Sequence, residues 1–121
     1  MKVTEVAFSC YTVLDMPRAR AFYEGVLGLA PATVTSSEYG EWVEYEIGPH
    51  TLTIGTTPGW NPSPDGCMVA LEVEDFDAAI SELQAASVKF RMEPFPTPVC
   101  RMAMILDPDG NSVCIHQRSA H

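Results

Sequence analysis

The segment Val13-Leu14-Asp15-Met16 returns sixty residues later as Val73-Glu74-Asp75-Phe76. Self-similarity at this spacing makes the chain two copies of one supersecondary unit, and most single-core architectures are thereby excluded. In both copies the segment closes a strand-like run and opens a helix. Asp15 and Asp75 stand where a carboxylate accepts the orphan N–H groups of a helix start. The helices that follow share a period: Ala19, Phe22, Tyr23 and Val26 recur at i, i+3, i+4 and i+7, and so do Phe76, Ala79, Ile80 and Leu83. Pro17 fits a first turn, where a missing N–H costs nothing. Gly28 is the expected stop of the first helix. Val88 stands at that offset in the second copy, so the stop is not repeated.

Strands are predicted before each helix, over 4–14 and 68–73, with two or three more after it. Residues 41–47 alternate Trp42, Glu44 and Glu46 with Val43, Tyr45 and Ile47, the period of a half-buried strand. A turn at Gly48-Pro49-His50 leads into 51–55. The second copy runs 101–106, turns through Asp107-Pro108-Asp109-Gly110-Asn111, and returns over 112–117. Residues 57–66, with three prolines and two glycines, read as a linker. The prediction is an α+β fold, a single domain of paired βαβββ modules. Module one covers about 1–56, the linker 57–66 and module two about 67–118. Each sheet hides one face under its own helix. The other faces are expected to curve around a cleft, the natural ligand site.

A chain of 121 residues suits one domain with a core that needs no staples. Seven Lys and Arg against sixteen Asp and Glu give a net charge of −9, which argues against nucleic acid. No run approaches the roughly 20 apolar residues of a membrane-spanning helix. The opening MKVTEVAF has no signal layout, so a cytoplasmic location is expected. None of the spacings among Cys10, Cys67, Cys100 and Cys114 is CxxC, which favours reduced, buried thiols over a zinc cluster.

Two stretches carry a resemblance: AFYEGVLGL at 21–29 and DPDGNSVCIHQ at 107–117. With the duplication between them, nearly the whole chain resembles the glyoxalase/bleomycin-resistance/extradiol-dioxygenase (vicinal oxygen chelate) superfamily. The resemblance implies the paired-module fold, and a homodimer of the kind relatives often form. It does not imply one reaction, because such folds host isomerases, dioxygenases, thiol transferases and drug binders. Enzymes of the family typically place His and Glu metal ligands on strands lining the cleft. Carried over residue by residue, those places hold Phe8, Thr53, Met68 and Cys114. Such a set does not supply the imidazoles and carboxylates that Fe, Ni, Zn or Mn require. No metal and no cofactor is therefore expected.

Strand parity then turns Phe8, Cys10 and Thr12 toward the cleft, with Thr53, Gly55, Met68, Ala70, Glu72, Cys114 and His116. The expected ligand-binding set is Phe8, Cys10, Trp42, Thr53, Trp60, Met68, Arg101, Cys114 and His116. Arg101, beside a loop at 94–98, is read as an anion holder or as a partner of local acids, and Trp60 as a lid or a packing plug. Cys114 and His116 admit a nucleophile–base pair as well as plain burial and an edge histidine. Glu38, Glu41, Glu44 and Glu46 read as a solvated strand face, while His50 and His121 are expected in solvent. An aromatic, thioether-rich cavity with a few carboxylates suits a small organic ligand, aromatic or cationic. The leading expectation is metal-independent binding of such a molecule, as in bleomycin-resistance proteins. A glyoxalase- or dioxygenase-type enzyme with a non-standard metal site is the alternative, and whether the chain is an enzyme stays open. A third reading is a partner-binding protein whose cleft has closed.

Overall fold

The computed structural model describes residues 1–119, so His121 lies outside the described residues. The chain divides into two compact units, Met1–Pro62 and Ser63–His121. In the first unit, strand β1 (Ser9–Thr12) leads into helix α1 (Met16–Arg20), which continues as a π-helical stretch over Ala21–Val26. Strands β2 (Pro31–Ser37), β3 (Gly40–Ile47) and β4 (His50–Gly55) follow. The second unit repeats the plan with β5 (Val69–Glu72), α2 (Phe76–Ala85), β6 (Phe90–Pro96), β7 (Cys100–Leu106) and β8 (Ser112–Arg118). The sheet orders are β1-β4-β3-β2 and β5-β8-β7-β6. In each, only the first strand runs parallel to its neighbour, since a helical crossover separates the two. This is the α+β arrangement of paired βαβββ modules.

Both helices start as their sequences dictate. The Asp15 carboxylate accepts the Arg18 N–H at 3.0 Å, and the Asp75 carboxylate accepts the Ala78 N–H at 3.1 Å. Gly28, with φ of +74°, ends the first helix after the Leu27 N–H has bonded the Phe22 carbonyl five residues back. Ala19, Phe22 and Tyr23 are buried from one helix, and Phe76, Ile80 and Leu83 from the other.

The core of the first unit is aromatic. Tyr23 stacks on Tyr45 at 6.2 Å and lies 6.1 Å from Tyr11. The buried Tyr45 hydroxyl donates to Glu24 at 2.9 Å, and Arg20 holds the same carboxylate at 2.6 Å. Burial of Val43 and Tyr45 on the helix side turns Trp42, Glu44 and Glu46 to the other face. In the second unit Gln117 fixes parity: its Oε1 accepts the Phe76 N–H and its Nε2 donates to the Glu74 carbonyl. Ala103, Ile105, Val113 and Ile115 are buried on that same helix side, leaving Met102, Met104, Cys114 and His116 on the opposite face.

The strand expected over 4–14 is shorter, because β1 pairs with β4 only from Ser9↔Leu52 to Thr12↔Gly55. Continued in that register, residues before Ala7 would pass the turn at Gly48-Pro49 and meet no partner. The proline-rich stretch read as a loop at 94–98 is partly strand: Pro94 and Pro96 lie in β6, at the edge of its sheet. An edge strand tolerates prolines, and the pairing of β6 slips twice, between Phe90 and Met92 and between Met92 and Phe95. Strand β2 begins at Pro31 and is likewise an edge.

Asp75→Ala removes a helix cap and should lower stability by about 1 kcal/mol, read as a shift in urea midpoint at unchanged slope. A second outcome concerns Glu24, whose carboxyl is held below the usual range by the Arg20 guanidinium first and by the Tyr45 hydroxyl. Its folded pKa lies below its unfolded one, so its stabilisation is present above the unfolded value of about 4.3 and is lost as pH falls through the folded value. Acid unfolding of Glu24→Gln should therefore show a shallower loss of stability below about pH 5 than the parent.

Candidate functional site

On the first sheet, the face turned from the helix carries an aromatic corner. Phe8 meets Trp42 edge to face, with ring centroids 5.4 Å apart. The Trp42 indole N–H donates to Glu44 Oε2 at 2.9 Å, a contact between side chains two apart on one strand. Gly55 is directly opposite Trp42, and a Cβ there would lie 2.9 Å from the indole ring. Glycine at this register position lets the ring lie flat on β4. Cys10 and Thr53 are cross-strand partners behind this corner. The Thr53 hydroxyl is fully buried and donates to the Ser9 carbonyl at 3.0 Å.

The second sheet carries a different group. His116 Nδ1 lies 2.6 Å from Glu72 Oε1, while Glu72 Oε2 accepts the Arg118 backbone N–H at 2.7 Å. That backbone bond first, and His116 second, hold the Glu72 carboxyl below its usual range. Across β7 and β8, Met102 is opposite His116 and Met104 is opposite Cys114. Ala70 faces Cys114 from the other side, and Glu72 faces His116.

The nine expected residues are thus dispersed over two units. Phe8, Cys10, Trp42 and Thr53 gather in the first, and Cys114 and His116 in the second. Met68, just before β5, is 43% exposed. Arg101 is turned the other way: its guanidinium lies 4.6 Å over the Phe76 ring and pairs with Asp77 at 2.5 Å, both at the start of α2. Of its two readings, pairing with a local acid describes this geometry. Trp60 follows β4 in the linker and is 57% exposed, with its backbone N–H on the Thr57 carbonyl. Cys114 and His116 do not bond to each other. The thiol faces its neighbour's carbonyl at 3.8 Å, and burial pushes its pKa up, so it does not form an activated nucleophile.

Two residues of these faces were absent from the expected set. Glu44 was legible as a strand-face acid but not as the partner of Trp42. Glu72 was assigned the right face by parity, yet nothing in a linear sequence joins it to His116, forty-four residues away. A groove of about 410 Å3 between α1 and β2–β3 was also missed; Met16, Pro17, Arg20, Val34, Ser36 and Glu41 help to line it, and none of the nine residues does.

The positions where the family's metal ligands would stand fit a metal poorly. Phe8 and Met68 offer no hard donor, the Thr53 hydroxyl is engaged by backbone, and the Cys114 thiol resists ionisation. Among the described residues no three His, Cys, Asp or Glu side chains converge. No helix of the described residues is long and apolar enough to cross a membrane.

Thiol chemistry checks this placement. Cys67 is exposed, Cys10 half-buried, and Cys100 and Cys114 buried. With a thiol-reactive disulfide at pH 8, Cys67 should react first and Cys10 more slowly, since burial raises its pKa. Cys100 and Cys114 should react only on unfolding. Fast modification of Cys114 in the native protein would contradict the arrangement.

Comparison with known proteins agrees with the geometry. A comparison with curated protein sequences gave no match. Among solved structures, the chain is similar to TnmS3, an antibiotic binding protein from Streptomyces sp. CB03234, with a TM-score of 0.82 and 27% identity over 98% of this chain and 99% of that one. A glyoxalase/bleomycin resistance protein from the same organism gives a TM-score of 0.72 at 25% identity, covering 91% and 99%. A glyoxylase/bleomycin resistance protein/dioxygenase domain from Frankia sp. EAN1pec shares the fold, with a TM-score of 0.79 at 14% identity over 98% and 94%. The family profile matches residues 5–115, nearly the whole chain. The chain belongs to the Glyoxalase/Bleomycin resistance protein/Dioxygenase superfamily.

Proposed function

We propose that this protein binds a small organic molecule reversibly, without a metal and without converting it, on the sheet faces turned from its helices. The observation that carries the reading is the Phe8–Trp42 corner with its Glu44 carboxylate, on the face where relatives with catalysis would present metal ligands. Aromatic rings offer stacking worth about 0.5–1.5 kcal/mol per contact beyond area burial. A neighbouring carboxylate and a net charge of −9 favour a cationic aromatic over its anionic analogue. Likeness to a protein described as antibiotic binding supports the same class of ligand. The proposal includes a cytoplasmic homodimer, since edge strands β2 and β6 leave backbone groups for a second copy to cover.

The test is a fluorescence titration in a Trp60→Phe background, where Trp42 is the sole reporter. Planar cationic aromatics should quench it saturably, bind better than neutral or anionic analogues, and weaken with added salt. Trp42→Phe, followed by calorimetry, should weaken binding roughly two- to tenfold. A panel with no saturable binder would remove the reading. Elemental analysis of untagged protein should give far less than one Ni, Zn, Fe or Mn per chain. A stoichiometric metal would favour instead the enzyme reading with a non-standard site.

A further inference from the structure

The Glu72–His116 pair on the second sheet is built as a hydrogen-bond acceptor, and we propose that it recognises an acidic hydroxyl, phenolic or enolic, on an aromatic ligand. This inference rests on the small-molecule reading and names a chemical feature of that molecule. Glu72 is a carboxylate held in its charged form by the Arg118 N–H and by His116. A carboxylate has no proton to give, so the bond at 2.6 Å requires His116 to donate its Nδ1 proton. In the neutral imidazole this bond selects one tautomer, with the Nε2 lone pair as its remaining polar function. Nε2 has no hydrogen-bond partner among the described residues, although the side chain is only 22% exposed.

The surroundings select the donor. Met102 lies directly across β7 from His116, while Met104 and Cys114 form the next cross-strand pair on the same face. Thioethers and a buried, protonated thiol make a soft apolar floor that suits a ring better than an alkyl alcohol or a hydrated anion. A basic nitrogen at the border of such a floor pairs best with an acidic O–H attached to that ring. Glu72 is a positioning residue: it acts through His116 and fixes which nitrogen accepts.

The full chain, labelled with 15N histidine, is titrated at pH 8.5 with 2-naphthol and with 2-methoxynaphthalene, which differ only in the hydroxyl proton. Before any probe is added, the His116 resonances should show a protonated Nδ1 and a bare Nε2. 2-Naphthol should bind about three- to tenfold more tightly than the ether, the range of one neutral hydrogen bond, and should shift the Nε2 resonance. His116→Phe should abolish that preference. Glu72→Gln should mix the two tautomers and shrink the preference. Equal binding of both probes, or a preference that survives His116→Phe, overturns the inference and leaves small-molecule binding standing. A protonated Nε2 in the free protein also overturns it, independently of any ligand. If neither probe binds while cationic aromatics still quench Trp42, the hydroxyl site is refuted alone; if nothing binds at all, both readings fall.

Discussion

The hydroxyl of Tyr45 is the polar end of a side chain that the first unit buries completely, and it needs a partner. Leaving such a group unbonded would cost about 1–3 kcal/mol. Glu24 accepts it at 2.9 Å and is itself held by Arg20. This bond locks the parity of β3. Were the strand to slip by one residue, Glu44 and Glu46 would turn toward the tyrosine cluster and lose water, while Val43 and Tyr45 would turn away from the helix. The Phe8–Trp42 corner is thus a consequence of where Tyr45 has to point.

The second unit reaches the same end with other chemistry. Gln117 bonds both to the first N–H of α2 and to the Glu74 carbonyl just before it, so β8 cannot rotate relative to the helix start. Arg101 adds a guanidinium over Phe76 and a pair with Asp77 on the same side. With these residues committed to the helix side, Cys114 and His116 are left on the other. The two repeats share a topology and a capping aspartate, yet their faces carry different side chains: an aromatic corner with a carboxylate on one, and on the other an imidazole paired with a carboxylate, with methionines across the strand.

One of the two stretches that signalled the family, 107–117, opens with a structural turn from Asp107 to Asn111. Asp107 Oδ1 accepts the N–H groups of Asp109 and Asn111, both at 2.9 Å, and Oδ2 accepts the Asn111 side chain. Gly110 has a φ of +87°, which an L side chain adopts only under strain. Asn111 Oδ1 also accepts the Ser63 N–H and ties the turn to the start of the unit. A motif of this kind makes a hairpin reverse, which is why it reports the fold and is silent about the reaction.

The duplication, both capping aspartates, the period of the second helix and the alternation along 41–47 were legible in the sequence, because each is carried by residue types at fixed spacings; the π-helical stretch over Ala21–Val26 was not. The residue types at Phe8, Thr53, Met68 and Cys114 were legible as well, but only the fold showed the Thr53 hydroxyl bonded to backbone and the Cys114 thiol buried. Strand ends were less so. The run over 4–14 looks uniformly extended, and only the place where β4 turns back shows how much of it finds a partner. Nor does any local pattern join His116 to Glu72, or direct Arg101 toward Asp77 rather than toward a ligand. Those choices depend on cross-strand register and on which face a helix covers. They link residues forty-four and twenty-four positions apart, and only the folded sheet brings such residues within hydrogen-bonding distance.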